Sequence, residues 1–186
     1  MRIIGGKYKG RRITPATGFK ARPTTDFARE SLFNILNNRV DYESITVLDL
    51  FGGTGSISFE FESRGVPEIH LVEKDLRHIS GIKKIIKEVG FSSIKTIHID
   101  ARAFLKACSA KYDIIFADPP YDIPWLKEIP DLVLSADIIK ENGVLILEHP
   151  RDMSFISHPC FFEHRNYGGV NFSFFGKKNI KHPLSQ

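Results

Sequence analysis

"ITVLDLFGGTGSISFE" (Ile45–Glu60) runs from an apolar stretch, through a cluster of glycines, into a helix-like segment. The run up to Leu50 lacks the polar alternation of a half-exposed strand, so it reads as a strand covered on both faces. Gly52, Gly53 and Gly55 let the backbone turn sharply and come close to a ligand, and a helix opens directly after them. Outward from this unit the rhythm repeats. Apolar runs at 68–73 (EIHLVE), 94–99 (IKTIHI), 112–117 (YDIIFA) and 143–148 (GVLILE) alternate with helix-like segments near 56–64, 75–89, 101–108 and 125–135. Such alternation predicts an α/β fold, a Rossmann-like and mostly parallel sheet with helices on both faces.

Both ends depart from that rhythm. "CFFEHRNYGGVNFSFFGK" (160–177) has two aromatic-rich runs around Gly168-Gly169, which predicts a C-terminal antiparallel hairpin on one edge. "MRIIGGKYKGRRI" (1–13) reads as a short basic β-hairpin, and "TPATGFKARP" (14–23) as a loop. A helix is expected to start at Thr24 or Thr25, with Ala28, Leu32, Ile35 and Leu36 forming one apolar stripe. The expected organisation is an extension over 1–40, the α/β domain over 41–176 and a loose tail over 177–186.

The 186 residues are 42% hydrophobic and 26% charged, as in an ordinary globular domain. No apolar run is long enough for a membrane span, and the N-terminus lacks the apolar region of a signal peptide. Cys108 and Cys160 have no CxxC spacing, which fits idle thiols in a reducing cytoplasm. The seven histidines show no metal-ligand spacing, so no metal is expected. Charge is unevenly placed. Residues 1–40 hold nine basic side chains against two acidic ones, a net +7, which leaves −3 for the rest of a chain whose total is +4. A basic head on a mildly acidic body suggests a polyanionic partner at one end.

The glycine turn alone suits either a dinucleotide or S-adenosylmethionine. Glu73 ends the second strand and is placed to hold a ribose diol. Asp49 lies just before the glycines, where it would repel a pyrophosphate but suit an α-amino group. Ser58 also stands where a dinucleotide fingerprint would have its third glycine. A ligand with a sulfonium and an ammonium but no phosphate favours acids in its pocket. Asp49 equally suits a turn or helix cap, and Asp100, near the adenine position, equally suits the N-cap of the next helix.

Asp118-Pro119-Pro120-Tyr121 closes the fourth strand at the edge where ligands of such sheets bind. An exocyclic amine on a nucleobase is a poor nucleophile, because its lone pair is delocalised into the ring. Acceptors on its two N–H bonds, Asp118 and the Pro119 carbonyl, can direct that lone pair at a methyl donor. The prolines fix φ and remove competing donors, and Tyr121 offers a face for a flipped-out base.

The fold, "DLFGGTG" and "DPPY" resemble the amino-group methyltransferases that use S-adenosylmethionine. "RIIGGKYKGRRI" followed by "ARPTTDFARESLFNIL" is more specific. Over residues 2–175 the chain is similar to the bacterial 16S rRNA guanine-N2 methyltransferases of the RsmD type. The resemblance implies that Asp49, Phe51, Gly53 and Gly55 line the methionine end of the cofactor. It implies Glu73 for the ribose, Asp100 and Ala101 for the adenine, and Asp118 to Tyr121 for the target base. It places Arg22, Thr24, Thr25 and Arg29 over the pocket to help place cofactor or RNA; the charge of the hairpin makes Lys7, Lys9, Arg11 and Arg12 the expected RNA-docking residues. The implied partner is 16S rRNA within a small-subunit particle. Phe27 departs from the pattern, which leads one to expect a basic residue there. The alternative activity is adenine-N6 methylation of DNA, which shares DPPY. Reading a duplex sequence generally needs extra mass, which this chain does not have to spare.

Overall fold

The structure is a computed structural model and describes residues 1–14 and 26–177. The expected runs form β1 (Thr46–Asp49), β2 (Glu68–Glu73), β3 (Ile94–His98), β4 (Tyr112–Ala117) and β5 (Ile139–His149), and the C-terminal stretch forms β6 (Phe161–Tyr167) and β7 (Val170–Phe175). They make one seven-stranded sheet in the order β3-β2-β1-β4-β5-β7-β6. β1 to β5 are parallel, while β7 runs antiparallel to both β5 and β6. Strand order reverses between β1 and β4, which opens a crevice at their carboxyl ends.

Alternate strand residues enter opposite cores. Val47, Ile69, Ile114 and Ile146 face a core shared with α1 (Asp26–Asn37), α2 (Ser56–Ser63) and α3 (Leu76–Val89). Leu48, Val72, Ile115 and Leu147 face α4 (Ala101–Ala107) and α5 (Ile129–Ser135). Burial on both sides explains why the strands read as unbroken apolar runs. Helix ends follow local chemistry. Asp75 caps α3 by accepting from the Arg77 N–H, and Gly90 closes it in the left-handed region at φ 83°.

β5 starts earlier than the apolar run at 143–148 indicates. Its register against β4 shifts between Tyr112 and Ile114, so Glu141-Asn142-Gly143 passes through an irregularity inside the strand. A Cβ on Gly143 would come within 2.7 Å of the Tyr112 carbonyl oxygen, so only glycine lets the backbones approach this closely. The Gly168-Gly169 turn has φ of 58° and 92° and joins β6 to β7 as a two-residue connection.

All eight residues of α2 are buried. The sheet covers one side, and the N-terminal segment with α1 covers another. Residues 1–13 fold back through an antiparallel bridge between Arg2 and Arg12, and Ile3 and Ile13 join the core of α1 to α3. The Lys7 N–H donates to the Ser63 carbonyl at 2.6 Å and the Tyr8 N–H to Ser63 Oγ at 3.0 Å. A helix leaving the carboxyl end of β1 ends near the amino edge of the sheet. The basic loop docked on Ser63 therefore lies at the end of the molecule opposite the crevice. Among the described residues, no helix is long and apolar enough to cross a membrane.

Candidate active site

Every parallel strand delivers an acid to the carboxyl edge, in or just beyond the strand. A cleft of about 510 Å³ opens there. Glu73, Asp75, Asp100, Asp118 and Glu148 line it with Lys74 and His78, so the charge balance favours a cationic ligand. Its apolar walls include Phe51, Ile99, Ala101 and Trp125, with the Phe51 and Trp125 rings 5.9 Å apart and tilted by 34°. Flat apolar walls beside carboxylates suit a nucleoside that carries positive charge.

Glu73 is held from two sides. Its Oε2 accepts the Gly53 N–H at 2.9 Å and its Oε1 the Asp75 N–H at 2.7 Å, so the acid at the end of β2 is tied to the glycine turn after β1. Gly53 and Gly55 both have positive φ, 51° and 79°. A Cβ on Gly55 would lie 2.6 Å from the Phe59 ring, so this turn requires glycine on grounds of conformation and of space. Neither Gly55 nor Asp49 lines the cleft wall. Asp49 is 1% exposed, and its Oδ2 accepts the Ser58 hydroxyl at 2.7 Å. Burial pushes the Asp49 carboxyl up to about 7; Glu73 adds to the rise and the Ser58 hydrogen bonds oppose it. Asp100 does both things the sequence allows. It caps α4 through the Arg102 and Ala103 N–H groups, at 2.9 and 3.4 Å, and it lines the cleft beside Ala101.

Asp118, Pro119, Pro120 and Tyr121 form the far wall. The Pro120 carbonyl accepts the Ile123 N–H at 3.2 Å, which closes the turn. Among the described residues, no backbone N–H bonds to the Pro119 carbonyl. Tyr121 is 43% exposed, and its hydroxyl donates to Glu148 Oε1 at 3.2 Å.

Glu148 and Trp125 are cleft residues that the sequence reading did not single out. Glu148 carries the same signal as Asp49, Glu73 and Asp118, an acid closing an apolar run. Trp125 stands at the end of the DPPY stretch, where its ring packs on Phe51 and under the Arg102 guanidinium at 5.0 Å. Gly169 and Val170 also line the cleft, and no local pattern marked them. Phe27 is exposed at the start of α1, edge-on to Tyr167 at 6.4 Å beside that same turn.

The basic residues separate into distinct groups. Arg22, Thr24 and Thr25 lie outside the described residues. Arg29, expected over the pocket as an RNA contact, is instead 1% exposed. It donates to the Arg2 carbonyl at 2.7 Å and to Asp26 at 2.9 Å, and it pairs with Glu60 at 3.4 Å. A guanidinium enclosed in this way ties the N-terminal segment to α1 and α2 and has no open face for a phosphate. Arg11 is exposed and donates to the Glu88 and Val89 carbonyls at the end of α3. Lys7, Lys9 and Arg12 are exposed on the same segment.

A doubly wound sheet with an acid-lined, apolar-walled cleft at its switch point defines a nucleoside-ligand protein of the Rossmann-like class. The family profile described as Conserved hypothetical protein 95 matches residues 1–176. The ribosomal RNA small subunit methyltransferase D of Buchnera aphidicola subsp. Baizongia pistaciae is 31% identical over 159 residues, 86% of this chain and 81% of the relative. The protein of the same name in Escherichia coli K12 is 30% identical over 145 residues, 78% of this chain and 69% of the relative. A solved structure of a hypothetical protein from Thermus thermophilus superposes with a TM-score of 0.83 at 28% identity, covering 95% of this chain and 99% of that one. The chain belongs to the Conserved hypothetical protein 95 family, that of the RsmD-type proteins.

Proposed function

We propose that the protein methylates the N2 amine of one guanine in 16S rRNA, within a small ribosomal subunit particle in the cytoplasm. The observation that carries this reading is the Asp118–Tyr121 wall standing across an acid-lined cleft from Glu73 and the glycine turn. S-adenosylmethionine supplies an electrophilic methyl group on a sulfonium. Phe51 and Gly53 serve its methionine end, with Asp49 and Gly55 shaping the turn behind them, Glu73 its ribose, and Asp100 and Ala101 its adenine. Asp118 and the Pro119 carbonyl accept the two N–H bonds of the amine and aim its lone pair. Asp118 then takes the proton shed as the new N–C bond forms and the methyl–sulfur bond breaks, its electron pair staying on sulfur. Tyr121 stacks on the base that has left its helix, an interaction worth about 1–3 kcal/mol. Proximity and orientation supply most of the acceleration, and no covalent enzyme intermediate is needed. Lys7, Lys9 and Arg12, with Arg22, Thr24 and Thr25, are assigned to the RNA.

The test is transfer from labelled S-adenosylmethionine to small subunits of cells lacking this protein, with duplex DNA alongside. N2-methylguanosine in the subunit RNA alone is expected, and Asp118→Ala should nearly abolish it while cofactor affinity stays within a few fold. N6-methyladenine in the DNA would overturn the target, and unchanged turnover in Asp118→Ala would overturn the amine cradle.

A further inference from the structure

Two acceptors account for an amine but not for a guanine. Adenine also presents an exocyclic NH2 group, and Asp118 with the Pro119 carbonyl does not tell the two bases apart. The edges differ beside the amine. Guanine carries an N1–H donor there, whereas adenine carries a lone pair. A third acceptor next to Asp118 and Pro119 would accept from the first and repel the second.

Glu148 is in that place. Ala117 on β4 is in register with Leu147 on β5, so Asp118 and Glu148 follow at the same level of adjacent strands. Neighbouring strands run about 4.7–4.9 Å apart, close enough for side chains at the same level of both to reach one base edge. Glu148 lines the cleft with Asp118, Pro119 and Tyr121 and is only 4% exposed. Backbone pairing with Phe172 fixes it in the interior of the sheet. Its Oε1 takes the Tyr121 hydroxyl, which couples the carboxylate to the residue that stacks on the base. An ionised carboxylate offers about four lone-pair positions, of which the Tyr121 hydroxyl takes one.

We infer that Glu148 is the base-discriminating residue, accepting the guanine N1–H while Asp118 and the Pro119 carbonyl accept the two N2 hydrogens. Three acceptors thus meet three donors on one edge. The inference rests on the guanine-N2 reading above and explains how a DPPY cradle selects that base.

The experiment compares reconstituted small subunits with guanosine or 2-aminopurine at the methylated nucleotide. Both bases carry the 2-amino group, but 2-aminopurine has a lone pair at N1. The parent should prefer guanosine by about a hundredfold or more in kcat/KM, because a site built for an N–H rejects the analogue lacking it. In Glu148→Gln the amide can donate to the bare N1. The preference should shrink to a few fold or reverse, with cofactor affinity unchanged. Glu148→Asp, which keeps the carboxylate, should be slower yet still prefer guanosine. A purely structural role would slow both substrates equally. The inference is overturned if Glu148→Gln keeps the parent's preference, or if the parent itself accepts both bases equally. A parent that makes no N2-methylguanosine in natural subunits would overturn the guanine reading instead.

Discussion

Asp49 shows how one buried side chain links folding stability to pH. Its carboxyl ionises near 3.8 when unperturbed and near 7 in the folded chain, where burial disfavours the anion. Between those values the folded protein binds a proton that the unfolded chain has lost. Folding stability therefore declines as pH rises through that window. Asp49→Asn removes the titration, so urea unfolding at pH 4.5 and 7.5 should show a smaller decline in the variant than in the parent. Equal declines would mean that Asp49 is ionised throughout.

At the scale of elements, α2 departs most from surface-helix rules, since it buries two carboxylates among its eight residues. Each has partners that are distant in sequence. Glu60 accepts the Ile4 N–H at 2.7 Å and pairs with Arg29 and Arg64. Glu62 accepts the Ser92 and Ser93 N–H groups at 2.8 and 2.9 Å, fixing α2 to the loop that enters β3. Glu62→Ala leaves both donors without that acceptor and should cost about 1–3 kcal/mol. Glu62→Gln, which retains an acceptor oxygen, should cost less. Denaturant unfolding with an unchanged m-value reads both, and equal stabilities for parent and Ala variant would show the bonds to be dispensable.

For the whole molecule, the decisive fact is the distance between charge and chemistry. The cleft lies at the carboxyl edge of the sheet, while the basic loop is docked on Ser63 toward the amino edge. An RNA serving both ends must span the molecule from one edge of the sheet to the other. Reversing Lys7, Lys9 and Arg12 to Glu should therefore weaken RNA binding and flatten its salt dependence, by up to about 0.7–0.9 in log–log slope for each phosphate that is no longer neutralised. Arg11 is kept out of this set because it holds the last carbonyls of α3. Binding titrated across salt concentrations gives the slope, and the parent's slope in the variant would remove the loop from the interface.

The alternation of strand and helix, the glycine turn, the DPPY stretch and the C-terminal hairpin are all legible in the amino-acid order alone. These depend on local rules of periodicity and backbone freedom, which a short window contains. That Arg29 turns inward depends on long-range packing, because its partners Arg2 and Glu60 come from elements other than its own helix. The same holds for Glu148. Nothing in "GVLILE" distinguishes a buried acid at a binding site from the polar end of a strand until the β4–β5 register sets it level with Asp118. Charge runs likewise reveal sign but not side. The basic head was legible in the first forty residues, but the position of its Lys7–Arg12 loop opposite the cleft follows from the direction in which α2 crosses the sheet. Local physics names the elements, and packing decides which side chains meet, because distant residues come together only when the chain closes on itself.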